Sequence, residues 1–313
     1  MARCIVLGTS KFTASLIYGI IDSLNEVSCV ISMPDTSKPN NPYDLKKICN
    51  KFGIKYYEFE DINSAEAINL IKKINPNFIV SSWPKIIKNE ILNLAYVIGT
   101  HPTNLPKDRG RHPLHWNIIR GIKKSKLSFF KMDKNIDSGN LLLQLKYAIS
   151  KYDDINSLNH KIEKLAKTGI NKLLSRNKMK EIAQSGNTNY LRARNIHDCL
   201  IDPRMEYKTI DRIVRSFTSP YPCAKLIVEN QILNIKKCCL IEKGDKLGYG
   251  KILKESTNFI IFQCSDSVIK LSLESGLKYS YMGGGGVDTN SKFLYPKIFH
   301  QTIARICQKK GMI

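Results

Sequence analysis

The sequence lacks any apolar run long enough to span a membrane. None of its 313 residues falls in an uninterrupted apolar stretch of about eighteen or more. The first apolar run ends at Gly8-Thr9-Ser10, too soon for the core of a secretory signal. These absences predict a soluble, cytoplasmic protein.

Patterns typical of metal and nucleotide sites are missing as well. The nine cysteines are scattered, with only Cys238 and Cys239 adjacent, and none has zinc-ligand spacing. We therefore predict reduced, mostly buried thiols and no metal. Gly8 is not followed by the other glycines of a dinucleotide fingerprint, and the run 283–286 lacks the Lys-Ser/Thr of a phosphate loop. That glycine run is interpreted as a flexible turn.

Acidic residues are few relative to basic ones. Twenty-seven Asp and Glu stand against 49 Lys and Arg, for a formal net charge of +22. Such an excess indicates a polyanionic partner. The lysines are spread along the chain beside many Asn and Ile, however, as AT-rich coding would produce. The charge therefore favours an anionic substrate, and RNA stays second because no basic and aromatic RNA-binding motif is present.

Short apolar runs alternate with amphipathic stretches over the first half of the chain. This order predicts a Rossmann-like, doubly wound α/β fold with a mostly parallel sheet. Strands are expected over 4–7, 27–33, 54–57, 78–81, 96–100, 127–132 and 140–149. Helices are expected over 12–24, 43–52, 64–74, 89–95, 113–121 and 155–174.

The pattern changes after a polar, mixed stretch at 176–189. Beyond it lie short β-rich pieces at 226–228, 232–235, 259–263 and 268–273, separated by turns. We predict two domains, a catalytic domain over 1–189 and a smaller β-rich, barrel-like domain over 190–313.

His101 closes the apolar run at 97–99 and so lies near the carboxyl end of a predicted parallel strand, where open α/β sheets bind ligands. Asp137 lies in the turn between two later strands. Alone, the histidine is more often structural and Asp-Ser-Gly is ordinary turn chemistry. Together they predict an Asp-His pair able to transfer protons near neutral pH.

Arg109 and Arg111 precede the helix expected to start at Pro113. The stretch is either a solvated loop or a bidentate clamp for phosphate or carboxylate, and the residues alone favour neither interpretation.

These motifs resemble the folate-dependent formyltransferase family, which includes methionyl-tRNA, glycinamide ribonucleotide and amino-sugar formyltransferases. The match is clearest from the amino terminus to about Ile149. Residues 6–12 resemble its opening strand and turn, 75–80 the strand before its folate loop, and 101–106 its His-x-Ser-x-Leu-Pro signature with Thr103 in place of Ser. Residues 132–139 match its closing aspartate loop, and 213–222 resemble the entry to its carboxyl-terminal domain.

The resemblance implies a role for each matching position, with 10-formyltetrahydrofolate as the formyl donor. His101 and Asp137 take the catalytic positions. The positions implied for the folate are Ser82, Trp83, Pro84, Ile86, Asp133, Lys134, Asn135 and Ile136. The positions implied for the acceptor are Thr9, Lys11, Thr103, Asn104, Arg109 and Arg111.

One family position does not match. Gly99 stands where the family has an asparagine, whose amide donates to the developing oxyanion. Either another donor such as Asn104 or a water replaces that amide, or the reaction is altered or slow.

The loop from Arg109 to Trp116 resembles the Arg-Gly-Arg-x-Pro-Leu-x-Trp of amino-sugar formyltransferases more than the Arg-Gly-Ala-Ala-Pro-Ile of the tRNA enzymes. The implied function is N-formylation of an amino sugar, nucleotide-linked and destined for a surface glycan. Two alternatives remain. They are methionyl-tRNA formylation, which the basic charge favours, and a catalytically weakened folate or sugar-nucleotide binding protein, which Gly99 favours. A homodimer is left open.

Overall fold

The computed structural model describes residues 1–38, 43–176, 178–228, 231–244 and 249–274. It divides the chain into two compact units. The first comprises Met1–Leu114 and Ile122–Ala193, and the second comprises His115–Gly121 and the chain from Arg194 onward. The predicted glycine turn at 283–286 lies outside the described residues.

The first half of the chain alternates strands and helices as the apolar pattern predicts. The strands are β1 Arg3–Leu7, β2 Glu26–Ser32, β3 Lys55–Glu58, β4 Phe78–Ser81, β5 Tyr96–His101, β6 Arg109–Gly110, β7 Lys124–Lys131 and β8 Leu141–Ala148. The helices are α1 Lys11–Asp22, α2 Lys46–Phe52, α3 Ala65–Ile74, α4 Asn89–Leu92, α5 Pro113–Ile119 and α6 Ile155–Leu174. A two-residue strand, β9 Tyr190–Leu191, follows.

Seven of these strands form one sheet in the order β3-β2-β1-β4-β5-β7-β8. The first five in that order are parallel, and β7 and β8 run antiparallel at one edge. This topology confirms the predicted α/β class with a mostly parallel sheet. Four consecutive residues of β1, Cys4–Leu7, have no exposed surface, as expected of a strand covered on both faces.

Several predicted helices are shorter than expected, two of them by three residues. The helix expected over 43–52 begins only at Lys46, and the one expected over 89–95 ends at Leu92. The preceding Asp44 accepts the main-chain N–H of Lys46, a local side-chain contact that competes with helix propagation. Such end effects are governed by single hydrogen bonds rather than by the apolar period.

The second unit contains a six-stranded, mostly antiparallel sheet, which confirms its predicted β-rich character. Its order is β10-β11-β12-β15-β14-β13. The elements are β10 Leu200–Ile201, α7 Tyr207–Ser216, β11 Ala224–Val228, β12 Gln231–Lys243, β13 Ile252–Ser256, β14 Phe259–Gln263 and β15 Ser267–Leu273.

Four features of this unit correct the sequence-based assignments. Helix α7 and strands β10 and β13 were not predicted, and β12 extends far beyond the predicted end at Ile235. The register of β12 shifts between Ile235 and Lys237 and again between Leu240 and Glu242. These bulges break the two-residue alternation by which a strand is recognised, which explains the misplaced end.

The described cysteines are free thiols. Seven of the eight are buried, and burial raises the pKa of Cys4 and Cys29 to about 12. In the described ranges no cluster of His, Cys, Asp and Glu is arranged to hold a metal ion. No helix in those ranges has both the length and the apolar character needed to cross a membrane.

Candidate functional site

The buried imidazole of His101 lies at the carboxyl end of β5 and is held from one side by a main-chain carbonyl. Its Nε2 is 2.7 Å from the carbonyl oxygen of Asp108. Because a carbonyl oxygen only accepts hydrogen bonds, Nε2 must carry the proton in this arrangement. In the neutral ring, Nδ1 is therefore the nitrogen that is left to accept a proton.

That nitrogen faces the carboxylate of Asp137. Nδ1 of His101 and Oδ2 of Asp137 are 3.5 Å apart, and the two side chains are 6% and 17% exposed. The same Oδ2 accepts the main-chain N–H of Gly110 at 2.9 Å. An imidazolium at His101 would thus point both N–H groups at acceptors. The 3.5 Å gap leaves the pair loosely coupled, as catalytic contacts often are before substrate binds.

Side chains of the antiparallel edge strands fix the loop that follows His101. Ser128 in β7 and Gln144 and Tyr147 in β8 each donate a hydrogen bond to a carbonyl of this loop. The acceptors are the carbonyl oxygens of Thr103, Leu105 and Pro102, at 2.6, 3.2 and 2.7 Å respectively. The position of the histidine is therefore set by the sheet and not by the loop alone.

The segment 181–191, here called the return segment, was missed as part of the site by the sequence interpretation. Its strand β9 pairs with β6 in parallel, and Ile182 exchanges two main-chain hydrogen bonds with Leu141. Gln184 and Asn189 contact the loops that carry Asp137 and Asp108. The polar composition of the segment was the feature of the sequence that could have indicated this role. Contacts between residues about 40 to 80 positions apart produce no periodic pattern in the sequence, so they could not be predicted.

Glu181 anchors the start of the return segment. A hydrogen bond from the Asn140 amide lowers the pKa of Glu181 against the opposing effect of burial, and further hydrogen bonds come from Tyr96 and Lys131. The carboxylate therefore ties the segment to β5 and to the start of β8.

Asn189 fixes the residue whose carbonyl orients His101. Its Oδ1 accepts the N–H of Asp108 at 2.9 Å, and its Nδ2 donates to Asp108 Oδ1 at 2.8 Å. Asp108 has a φ of +59°, a left-handed conformation that needs local support in a residue with a side chain. The two hydrogen bonds from Asn189 provide it.

This geometry predicts a rescue by exchange of the two side chains. Asn189→Asp places two carboxylates against each other, and we expect it to lower kcat about tenfold, in line with couplings of contacting polar pairs. Adding Asp108→Asn restores one donor and one acceptor, and kcat should recover to within about threefold of the original. Steady-state kinetics of both variants check this, with Asn187→Asp on the exposed neighbour as the charge control. Equal rates for the single and double exchange would contradict it.

The residues implied for the folate lie on two surface loops, with different exposures. In the loop after β4, Ile86 is 69% exposed and Pro84 is also exposed, whereas Trp83 is only 9% exposed and belongs to the core beneath the sheet. Ser82 bonds to the hydroxyl of Thr13 and to the carbonyl of Leu7.

The loop after β7 carries the other implied folate positions. Asp133 accepts hydrogen bonds from the N–H of Asn135 and from the Ser138 hydroxyl, so its carboxylate stabilises the loop itself. Lys134, Asn135 and Ile136 are exposed, Ile136 to 53%.

The residues implied for the acceptor differ in their contacts and exposure. Thr103 donates its hydroxyl to the carbonyl of Lys107, and Lys11 lies 3.7 Å from Glu163. Thr9 is buried and Asn104 is exposed.

The two arginines of the loop differ in their contacts. Arg111 is exposed, and its main-chain N–H bonds to the carbonyl of Leu191. Arg109 is half-buried and donates to Gln184 Oε1 at 2.7 Å and to the Tyr190 hydroxyl at 3.4 Å. Of the two side chains, that of Arg109 is fixed by hydrogen bonds. The next residue, Gly110, contacts the Asp137 carboxylate.

The space beside Gly99 is filled by apolar side chains. A Cβ at this position would lie 2.7 Å from Cγ of Met132 and 2.8 Å from Cζ of Phe130. Phe130 is the residue that pairs with Gly99 in the sheet. The asparagine of the family pattern therefore has no room here without repacking of β7 and the residue after it.

We expect Gly99→Ala to lower the free energy of unfolding by about 1–3 kcal/mol through overpacking. In a Met132→Ala background the nearest contact is removed, and the cost of Gly99→Ala should be smaller. Denaturant titration of the four proteins measures both values. An equal cost in the two backgrounds would show that Met132 does not limit the space.

Two family models match the chain. The model described as "Formyl transferase" covers residues 2–174, and the model described as "Formyl transferase, C-terminal domain" covers residues 195–275. Together they span both structural units.

The chain is similar to formyltransferases of two kinds. Some are methionyl-tRNA formyltransferases, and another was solved with a nucleotide-linked amino sugar. A methionyl-tRNA formyltransferase of Buchnera aphidicola subsp. Acyrthosiphon pisum (strain Tuc7) is 25% identical over 283 residues, 86% of this chain and 89% of its own. The structure of a methionyl-tRNA formyltransferase from Clostridium thermocellum aligns with a TM-score of 0.58 at 20% identity, covering 88% of this chain and 100% of that one. An N-formyltransferase from Helicobacter canadensis, in complex with folinic acid and dTDP-3-aminofucose, aligns with a TM-score of 0.63 at 16% identity, covering 87% and 99%.

Proposed function

This chain belongs to the formyl transferase family, and on that premise we propose that it transfers a formyl group from 10-formyltetrahydrofolate to the amine of a nucleotide-linked amino sugar for a surface glycan. Formyl transfer from the folate is the activity of the family. The proposal concerns the acceptor and the residues that act on it.

One observation carries the choice of acceptor. Gly110, between Arg109 and Arg111, donates its N–H to the Asp137 carboxylate at 2.9 Å. The main chain beside Arg109 thus contacts the carboxylate that would receive the amine proton, and the Arg109 guanidinium is linked to the same loop through Gln184. This arrangement suits a small acceptor with a phosphate or carboxylate. The sequence of the loop, which resembles that of amino-sugar enzymes, supports the same choice.

The exposed surface of the two implied loops fits the folate. Ile86 and Ile136 present apolar side chains to solvent on separate loops, and a flat aromatic ring system packs well against such side chains. We propose that these loops hold the folate, with Pro84 beside Ile86 and Lys134 and Asn135 beside Ile136, while Ser82 and Asp133 shape the loops. When bound, the folate supplies the formyl carbon that the amine attacks.

The catalytic residues act on the proton that the amine must lose. We assign Asp137 as the acceptor of that proton and His101 Nδ1 as the next group in line, 3.5 Å away. The imidazolium formed at His101 is stabilised by the Asp108 carbonyl and by Asp137, and its positive charge favours the negative charge that develops on the formyl oxygen. Its proton would return, through Asp137 or a water, to the folate nitrogen from which the formyl group leaves. Asn104 is exposed and Gly99 has no side chain, so we assign stabilisation of the negative charge on the formyl oxygen to the charged ring of His101.

Methionyl-tRNA is the second candidate acceptor. A methionyl-tRNA formyltransferase aligns with 86% of this chain, and the net charge of +22 favours a polyanionic acceptor. Release of tetrahydrofolate by the purified protein tests both candidates, with nucleotide-linked amino sugars and charged initiator tRNA offered in parallel. Our proposal predicts release with an amino sugar. Activity confined to tRNA, with binding that weakens steeply as salt rises, would establish the second candidate.

We also propose a cytoplasmic location. Every described cysteine is a free thiol, as is typical of proteins kept in a reducing compartment.

A further inference from the structure

The carboxamide of Gln184 joins the two loops that carry the arginine and the catalytic carboxylate. Its Nε2 donates to the carbonyl of Asp137 at 2.9 Å and to the carbonyl of Gly139 at 2.8 Å. Its Oε1 accepts from Nη2 of Arg109 at 2.7 Å. All three partners lie at least 45 residues away in the chain, so these bonds are tertiary contacts.

Only one orientation of this amide satisfies its surroundings. The two carbonyls only accept and the guanidinium only donates, so the NH₂ group must face the carbonyls and the oxygen must face Arg109. A flipped amide would oppose an oxygen to two oxygens and an NH₂ group to a guanidinium. The network therefore has one low-energy arrangement, and it fixes both loops together.

Asp137 needs such support because its backbone is in the left-handed region, with a φ of +52°. Gln184 binds the carbonyl of that same residue, and it binds Gly139 two residues later. Its third contact is charge-assisted, since the donor is a guanidinium, and such bonds are shorter and stronger than neutral ones. Movement of Arg109 is thereby linked to movement of the loop that places the Asp137 carboxylate.

We propose that Gln184 is a positioning residue that couples acceptor binding at Arg109 to the placement of Asp137 beside His101. The inference rests on the proposed function, because it takes Arg109 as the acceptor contact and Asp137 as the proton acceptor. Gln184 itself need not touch either substrate.

Gln184→Glu disturbs both ends of this network. The carboxylate puts one oxygen against the carbonyls of Asp137 and Gly139, where it is repelled. Its other oxygen pairs with the Arg109 guanidinium and competes with the anionic group of the acceptor. We expect kcat to fall about 100-fold, the loss typical of a misplaced catalytic group, and the KM of the acceptor to rise, while the KM of the folate stays within about threefold. Gln184→Met has a similar length but no polar atoms of this kind, so it should lower kcat with a smaller rise in the acceptor KM.

Ser185→Ala, on the exposed neighbouring residue, is the matched control and should keep both constants. Thermal unfolding of each variant shows whether it is folded. A Gln184→Glu enzyme that is folded and has an unchanged kcat would overturn the proposal. So would a loss in kcat that is matched by an equal rise in KM for both substrates, since that pattern marks general damage.

A second readout does not depend on turnover. In NMR spectra of the protein without substrates, the ring signals of His101 should shift in Gln184→Glu, because the carboxylate that faces Nδ1 moves, and should stay in place in Ser185→Ala. Failure of the proposed function would appear as a wild-type protein that formylates none of the amino sugars offered. Failure of this inference would appear as unchanged His101 signals in Gln184→Glu.

Discussion

Asp137→Asn should lower kcat for formyl transfer about 1000-fold, within the range that acid–base groups contribute. The asparagine fills the same volume and keeps an oxygen for the N–H of Gly110. It carries no negative charge, however, so it neither receives the amine proton nor stabilises an imidazolium at His101. The measurement is single-turnover formyl transfer with saturating donor and acceptor.

Asp22→Asn is the matched control for that variant. Asp22 ends α1, away from the site residues, and its Oδ2 lies 2.8 Å from Nζ of Lys167. An amide oxygen can accept that hydrogen bond, and the exposed pair contributes little, so this variant should keep more than about half of the activity. If Asp137→Asn also kept more than about a tenth of the activity, Asp137 would lose its assigned role.

Gly139→Ala should damage both the fold and the site. A Cβ at Gly139 would lie 1.7 Å from the carbonyl oxygen of Lys131, which is backbone and has no rotamer by which to move away. The whole turn that carries Asp137 would have to shift. We expect a loss of more than about 2 kcal/mol in the free energy of unfolding, together with a large fall in kcat.

Gly53→Ala separates this clash from backbone strain. Gly53 ends α2 with a φ of +65°, and a Cβ there would meet nothing within 4 Å. In that variant the free energy of unfolding should fall only by the cost of a left-handed backbone at alanine, about 1–2 kcal/mol. We expect kcat to stay unchanged. Denaturant titration and kinetics of both variants check the pair. Equal effects on kcat would show that the contact between Gly139 and Lys131 does not govern the site.

The parallel sheet could be predicted from the sequence because its strands are covered on both faces. Runs such as Cys4–Leu7 are continuously apolar, and the intervening helices have an apolar face toward the sheet. The second unit was harder to predict. Helix α7 places Ile210, Ile213 and Val214 on one buried face, a helical spacing that was present but overlooked among its charged residues.

The positions of His101 and Asp137 relative to each other also followed from the motifs, and their side chains lie 3.5 Å apart. Their supports did not follow. The Asp108 carbonyl, Asn189 and Gln184 act through main-chain and amide contacts between distant segments. The sequence of one chain contains no local pattern for such contacts, because they depend on where the tertiary fold returns the chain.

The packing around Gly99 likewise could not be predicted from the sequence. The sequence indicates a missing amide, and the structure shows that Phe130 and Met132 occupy the space an added side chain would need. The site therefore has an apolar wall where the family pattern has a hydrogen-bond donor. In the mechanism that we propose, His101 therefore has the larger share in stabilising the oxyanion.

The most direct test of the account is a competition between the two acceptors in one reaction. Purified protein, 10-formyltetrahydrofolate, a nucleotide-linked amino sugar and methionyl-tRNA are mixed, and the initial rates of both formylated products are compared as kcat/KM. The account predicts at least about a hundredfold preference for the amino sugar, equivalent to about 2.7 kcal/mol at the transition state. A comparable preference for methionyl-tRNA would contradict the proposed acceptor while leaving formyl transfer itself in place.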